Sequence, residues 1–169
     1  MKSEYLNPFL KAISKMLEET ISEKPVLEKP FLRPGYPYMT ETVAIIVGVT
    51  GHLSGQVVLS IQEECARGIA AAMLMEDKIY ELDEYAQSAL AELANMIVAN
   101  ASIGLSDVGY HCDITPPSVF TGTKMEVTNQ AKIPTLAIPL QLEKGRIEVN
   151  LSLIETRQNT IPQKENAPK

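Results

Sequence analysis

The chain has 169 residues, of which 45% are hydrophobic, and a formal net charge of -6. This length and composition predict one globular domain that can bury a core, and the negative charge argues against nucleic acid or an anionic membrane surface as its main partner. Cys65 and Cys112 stand far apart without a CxxC spacing, which is typical of a reduced protein. With neither a signal-peptide pattern nor an apolar run of about 18 residues, we expect a cytoplasmic protein outside the membrane.

The first elements in the chain are predicted to be a helix and a connector. Asn7 followed by Pro8 is typical of a helix start, with Asn7 as the cap, and the apolar stripe that follows ends before Pro25. Four prolines and a glycine within residues 24–38 exclude a regular helix there. This stretch predicts an extended connector with short edge-strand pieces.

The period of the apolar residues predicts the remaining elements, because strands repeat every two residues and helices every 3.6. Pro134 and Pro139 indicate an edge or a bulge for the strand that contains them. The segregation of helices from antiparallel strands predicts an α+β fold. The predicted elements are a hairpin of strands 42–50 and 56–61 around a turn at 51–55, a helix over 63–75, a central helix over 83–104, strands 110–115 and 118–121, and a hairpin of strands 133–142 and 147–154.

The domain organisation follows from composition. Residues 1–155 are predicted to form a single domain. Residues 156–169 are polar and contain prolines, so we expect a disordered tail.

The central helix is the most informative stretch of the sequence. Asp83 is a suitable N-cap, and Gly104 is a suitable stop. Its apolar residues recur in steps of four and three, which predicts one buried stripe. The stripe consists of Ala86, Leu90, Leu93, Ile97 and Ala101.

A polar face is predicted on the opposite side of this helix. Ser88, Glu92 and Asn95 stand at i, i+4 and i+7, so their side chains share a face. Glu92 lies about 200° around the axis from Leu90 and therefore opposite the core stripe. A carboxylate and an amide are thus held side by side on a rigid helix.

The bare Glu-x2-Asn pattern has little specificity, because it occurs three times. The copy ending at Asn7 is cut by Pro8, and the copy ending at Asn129 lies in a polar connector. Only Glu92 and Asn95 lie in the middle of a helix, where asparagine is unfavourable and needs a reason. The structural alternative is that Asn95 is a buried amide bonded to backbone or to another subunit.

Other kinds of chemistry are poorly supported. His52 in a turn and His111 at a strand start lack metal-ligand spacing, and the GxSxG, Walker A and GxGxxG patterns are absent. No pair of nucleophile and base is visible. Cys65 and Cys112 are expected to be small buried hydrophobic residues.

The ensemble of motifs resembles the CheC/CheX family of chemotaxis phosphatases. The family motif Ser/Asp-x3-Glu-x2-Asn, with a proline further along, is matched by Ser88, Glu92 and Asn95 and by Pro116 or Pro117. The flanking segments 48–59, 89–97 and 114–122 are similar to family segments as well, and the likeness covers nearly the whole chain, about residues 7–154.

The resemblance implies a CheC/CheX-like α+β fold, with a long central helix and other helices packed on an antiparallel sheet. It implies a phosphatase that hydrolyses the aspartyl phosphate of a CheY-type response regulator. Asn95 would orient the attacking water, Glu92 would pair with the regulator's active-site lysine, and Ser88 would support them. The protein would need no cofactor of its own, because Mg²⁺ comes with the phosphorylated regulator.

The single mid-helix motif is similar to CheX rather than to the two-site CheC, and the resemblance implies a homodimer joined through the sheets. Two other functions stay open. The same fold family includes flagellar switch proteins, so the face could be a non-catalytic docking module. A small-molecule enzyme would require a deep pocket with perturbed titratable groups.

Overall fold

The computed structural model describes residues 3–128 and 133–156. Its helices are α1 (Ser3–Ile21), α2 (Glu63–Leu74) and α3 (Glu84–Asp107). The first five strands are β1 (Val26–Leu27), β2 (Phe31–Leu32), β3 (Tyr38–Met39), β4 (Val43–Gly51) and β5 (Leu53–Ile61). They are followed by β6 (Cys112–Ile114), β7 (Ser118–Thr121), β8 (Glu126–Val127), β9 (Leu136–Leu142) and β10 (Gly145–Glu155).

Antiparallel pairing joins eight of these strands into one sheet in the order β1-β9-β10-β5-β4-β6. In addition, β2 pairs with β9 and β7 pairs with β4, while β3 and β8 form a separate two-stranded ribbon. The central strands come from the two predicted hairpins, β4–β5 and β9–β10. The α+β prediction is confirmed.

The main core lies between the three helices and one face of the sheet. All five residues of the predicted α3 stripe are buried, with Leu90 and Leu93 fully enclosed. Burying a leucine side chain stabilises a fold by about 1.5–3 kcal/mol, so this stripe fixes α3 on the sheet. The 18-residue apolar window of α3 is hydrophobic enough on average to cross a membrane, but 44% of it is buried inside the protein. The expectation that no stretch is long and apolar enough to span a membrane therefore does not hold for α3 on average hydropathy, while its stripe packs in the main core.

The start of α1 differs from the prediction. The helix begins at Ser3, so Asn7 lies inside it and is not the cap, and Pro8 does not interrupt the pattern before it. Pro8 is the sixth residue of α1, beyond the first turn in which backbone N–H groups have no partner, so the Glu4 carbonyl lacks the usual donor from residue 8.

The end of α3 also differs, for a related reason. The helix continues past Gly104 to Asp107, so Gly104 is not its stop. A Cβ atom on Gly104 would lie 3.1 Å from the Cβ of Pro8. Gly104 therefore lets α1 and α3 approach each other closely, which outweighs the cost of about 1 kcal/mol for glycine within a helix.

Two details of the hairpins differ from the sequence pattern. The turn of the first hairpin is shorter than predicted, because β4 reaches Gly51 and β5 already begins at Leu53. The strand that contains Pro139 is not an edge, since β9 pairs with β10 on one side and with β1 and β2 on the other. The Pro139 carbonyl accepts the Glu28 N–H at 3.0 Å in the gap between β1 and β2. Proline is tolerated there because no ladder bond needs its missing N–H.

The short strands β1, β2 and β3 confirm the prediction of an extended connector with strand pieces. The predicted helix over 63–75 is confirmed as α2, and the predicted strands 110–115 and 118–121 are confirmed with shorter bounds. The predicted tail lies outside the described residues from position 157 onward.

Candidate active site

An open groove of about 530 Å³ runs between α3 and the segment that joins β6 to β7. Ser88, Glu92 and Asn95 line it from the helix, together with Ala91. The opposite wall is formed by residues 114–117. The three polar residues singled out in the sequence therefore share one groove, and Pro116 and Pro117 face them.

The proline wall is fixed to β4 by backbone pairing and by one side chain. The Thr115 N–H donates to the Gly48 carbonyl at 3.0 Å, and the Gly48 N–H donates to Thr115 Oγ1 at 2.8 Å. A Cβ on Gly48 would lie 2.9 Å from Thr115 Cγ2, so only glycine leaves room for this threonine. With φ restricted in both prolines, the wall is stiff.

The sequence arguments missed this pairing of Thr115 with Gly48. Both residues appeared only as parts of matching segments. A glycine inside a β-branched strand was the available signal, because it often marks the close approach of another chain segment.

The helix side of the groove is anchored at its N-terminus. The Asp83 carboxylate accepts the Ala86 N–H at 2.9 Å, which confirms it as the N-cap. The Gln87 side chain donates to the Leu82 carbonyl at 2.7 Å. These bonds and the buried stripe hold the groove residues on a rigid support.

The carboxylate and the amide of the motif are both accessible to a partner. Glu92 is exposed and Asn95 is half-buried. Within residues 3–128 and 133–156, neither side chain forms a hydrogen bond or an ion pair. Of the structural alternative, a bond from the Asn95 amide to backbone is therefore absent within the described part of the chain.

Asn100, farther along α3, shows what a structural amide looks like. Its Nδ2 donates to the Met96 carbonyl at 2.9 Å and contacts Met16 Sδ at 3.2 Å. Half-buried polar groups normally find such partners. The amide of Asn95 lacks them and faces the groove instead.

The other two Glu-x2-Asn copies have different surroundings. Glu4 and Asn7 lie near the start of α1, where Tyr110 Oη donates to the Glu4 carboxylate at 3.3 Å. Glu126 lies in β8, and Asn129 lies outside the described residues.

The histidines and cysteines have structural surroundings. His52 Nδ1 accepts the His111 N–H at 2.8 Å, which ties the hairpin turn to the start of β6. Burial raises the pKa of the Cys65 thiol to about 12, so this residue is an inert hydrophobic group at neutral pH. Cys112 is half-buried rather than buried, and both cysteines are free thiols.

The fold and the groove together define an α+β domain that presents a carboxylate and an amide on a fixed helix. A sequence profile of the family described as chemotaxis phosphatase CheX matches residues 43–141, more than half of the chain. The chain belongs to this family.

Particular relatives agree over nearly the whole length. The CheY-P phosphatase CheX of Thermotoga maritima is 26% identical over 153 residues, which cover 90% of this chain and 97% of that protein. The crystal structure of chemotaxis protein CheX from Desulfovibrio desulfuricans is 27% identical, with a TM-score of 0.81 and coverage of 90% and 99%. The CheX-CheY-BeF3-Mg²⁺ complex from Borrelia burgdorferi contains a chain that is 28% identical, with a TM-score of 0.77 and coverage of 89% and 98%.

Proposed function

We propose that this protein hydrolyses the aspartyl phosphate of a CheY-type response regulator, with Asn95 and Glu92 entering the regulator's active site. The observation that carries this proposal is a carboxylate and an amide that lie beside an open groove and have no partner among the described residues. The relatives named CheY-P phosphatase and the CheX-CheY complex support the choice of substrate.

Asn95 is proposed to orient the attacking water. Its amide both donates and accepts hydrogen bonds and stays neutral at every working pH. The water oxygen attacks phosphorus in line, the bond between phosphorus and the aspartyl oxygen breaks, and the aspartate leaves as a carboxylate. Placement is the main contribution, since an error of about 1 Å costs on the order of 10² in rate.

Glu92 is proposed to pair with the lysine of the regulator's active site and so to set the register of the two proteins. One turn separates Glu92 from Asn95 on α3, so fixing the carboxylate also fixes the amide. Ser88, exposed at the edge of the same groove, is proposed to support the pair.

No cofactor of its own is assigned to the protein. Mg²⁺ is proposed to arrive with the phosphorylated regulator, in keeping with the magnesium in the relative's CheX-CheY complex. The metal and the phosphoryl group then belong to the substrate, and this chain supplies positioning and charge.

The assembly, location and domain bounds are proposed as follows. Residues 1–155 form one domain with a tail at 156–169, and two copies form a homodimer through their sheets. The exposed Phe120 supports the dimer. Its strand partner Ala44 points away from the helices, and residues directly opposite each other share a face, so Phe120 also lies on that face of the sheet.

The two free cysteines support a cytoplasmic location, where thiols stay reduced.

The test is the decay of a phosphorylated CheY-type regulator in the presence of Mg²⁺, with and without this protein. We expect the wild-type protein to accelerate the decay. Asn95→Asp should give no acceleration, because it keeps the size of the side chain but replaces the neutral amide with a charge. Binding of the regulator without faster decay would support the interaction-module alternative, and equal activity of Asn95→Asp would exclude the proposed role of the amide.

A further inference from the structure

The exposed face of α3 continues beyond the groove toward the N-terminus of the helix. Tyr85 precedes Ser88 by three residues and Glu92 by seven, so it lies on the same face. Its distance from Glu92 along the axis is about 10 Å. Tyr85 is 77% exposed, so most of its ring is accessible to a partner.

Tyr85 borders a cleft formed with the linker that joins α2 to α3. Leu74, Ile79 and Tyr80 contribute apolar surface to this cleft. Tyr80 is 72% exposed, and Met75 at the end of α2 is 96% exposed. The two exposed tyrosines that line this cleft form what we call the tyrosine patch: Tyr80 and Tyr85.

The linker that carries this patch is held in place. Arg67 Nη1 donates to the Tyr80 carbonyl at 3.0 Å, and Gln87 bonds the Leu82 carbonyl. The Lys78 ammonium lies 4.8 Å from the centroid of the Tyr80 ring. The backbone of the linker is therefore held in place, which lowers the entropy cost of binding a partner.

Residues 75–85 also carry a strong negative charge, with five carboxylates and one lysine. Glu92 adds another carboxylate at the groove. A protein that covers both regions needs an apolar spot surrounded by basic side chains, because opposite charges steer association.

We propose that the tyrosine patch is a second docking surface for the same phosphorylated regulator whose active site receives Asn95. This inference rests on the proposed function. A standard interface covers about 800 Å² per partner, or a disc of roughly 16 Å radius, so Tyr85 falls within the footprint of a protein centred on Glu92. Tyrosine is also among the residues that most often contribute the largest share of binding energy.

The Glu92 pair sets the register, but two side chains in an open groove bury little area against a globular partner. The tyrosine patch supplies additional contact area. Because it lies on the side of the groove toward the N-terminus of α3, it fixes the direction in which the regulator lies along this helix. Tyr85 is thus a positioning residue, and Asn95 acts on the reacting atoms.

The test compares Tyr85→Ala with the matched control Val108→Ala, which removes an exposed apolar side chain (53% exposed) at the other end of α3. Binding is measured with a CheY-type regulator loaded with Mg²⁺ and beryllofluoride, and turnover with the phosphorylated regulator. We expect Tyr85→Ala to raise Kd and KM about tenfold with kcat within about twofold, whereas Val108→Ala changes neither. Tyr85→Phe keeps the ring and restores most of the affinity.

Salt provides an independent readout. The wild-type Kd rises with ionic strength, and Glu81→Gln weakens that dependence, since one interacting charge is removed. Unchanged Kd and KM in Tyr85→Ala, alongside lost turnover in Asn95→Ala, would overturn the docking surface and leave the proposed function standing. A wild-type protein that neither binds nor accelerates decay would overturn both.

Discussion

The same Glu-x2-Asn spacing occurs on two helices of this protein, at Glu4 and Asn7 on α1 and at Glu92 and Asn95 on α3. On α3 the pair faces a groove with a stiff proline wall, and neither side chain has a partner among the described residues. On α1 the glutamate already accepts a bond from Tyr110. The spacing makes two side chains neighbours, but the surrounding segments decide whether they can reach another protein.

The two copies also differ in the support beneath them. The α3 pair lies in the middle of a 24-residue helix, about three turns after a capped start. The α1 pair lies at the start of its helix, where several backbone N–H groups lack intrahelical partners and the ends fray. A group that must be placed within about 1 Å requires the first kind of support.

Removing the amide should produce the largest difference in dephosphorylation rate between the two Glu-x2-Asn copies. Asn95→Ala should lower the rate of stimulated dephosphorylation on the order of 10²-fold, because the attacking water loses its orienting group. Asn7→Ala should leave the rate unchanged. Decay of the phosphorylated regulator measures both, and thermal unfolding checks that both variants fold. Comparable losses in the two variants would show that the α1 copy is also functional.

Removing the carboxylates should have a smaller effect. Glu92→Ala should weaken regulator binding and reduce the rate about tenfold, since a charged pair that fixes register is lost. Glu4→Ala removes only an exposed hydrogen bond and should change stability by less than about 0.5 kcal/mol. Titration calorimetry with the beryllofluoride-loaded regulator measures the first effect. Full affinity in Glu92→Ala would contradict the proposed pairing.

The proline wall is the feature that the α1 copy does not share, and Thr115→Val tests it. The Gly48 N–H loses its acceptor, so stability should fall by about 1 kcal/mol. Activity should fall by less than roughly tenfold as the wall loosens. Thr115→Ser keeps the hydroxyl and should retain activity. If Thr115→Val is as active as wild type, the wall has no part in positioning.

The smallest effect concerns the two helix starts. Asp83→Ala removes a cap and should cost about 1 kcal/mol in the free energy of unfolding. Asn7→Ala should cost nothing measurable, because Asn7 lies inside α1 and alanine is the better helix former. Urea denaturation compares the two. Equal losses would mean that Asn7 caps the helix in solution.

The sequence was sufficient for features that depend on local chemistry. The stripe from Ala86 to Ala101, the Asp83 cap and the shared face of Ser88, Glu92 and Asn95 all follow from helix periodicity and capping preference. The α+β class and the hairpins follow from the same kind of pattern. Because these rules act over a few residues, they do not depend on the rest of the fold.

Features that depend on distant contacts were not predictable in this way. Glycine is a common residue type at a helix stop, but the role of Gly104 is set by its close approach to Pro8 on another helix. Proline is typical of an edge strand, but two short strands pair with β9 on the side of Pro139. Likewise, the groove needs Thr115 to meet Gly48 across the sheet, which no local pattern encodes.

The connector between α1 and β4 has a consequence for solubility. Without β1 and β2, β9 would expose a row of unpaired N–H and C=O groups, which is a template for aggregation between chains. The two short strands cover that row, and neither offers a long edge in its place. Pro25 and Pro30 add positions that cannot donate to an incoming strand. The proline-rich segment thus protects the sheet against self-association at this edge.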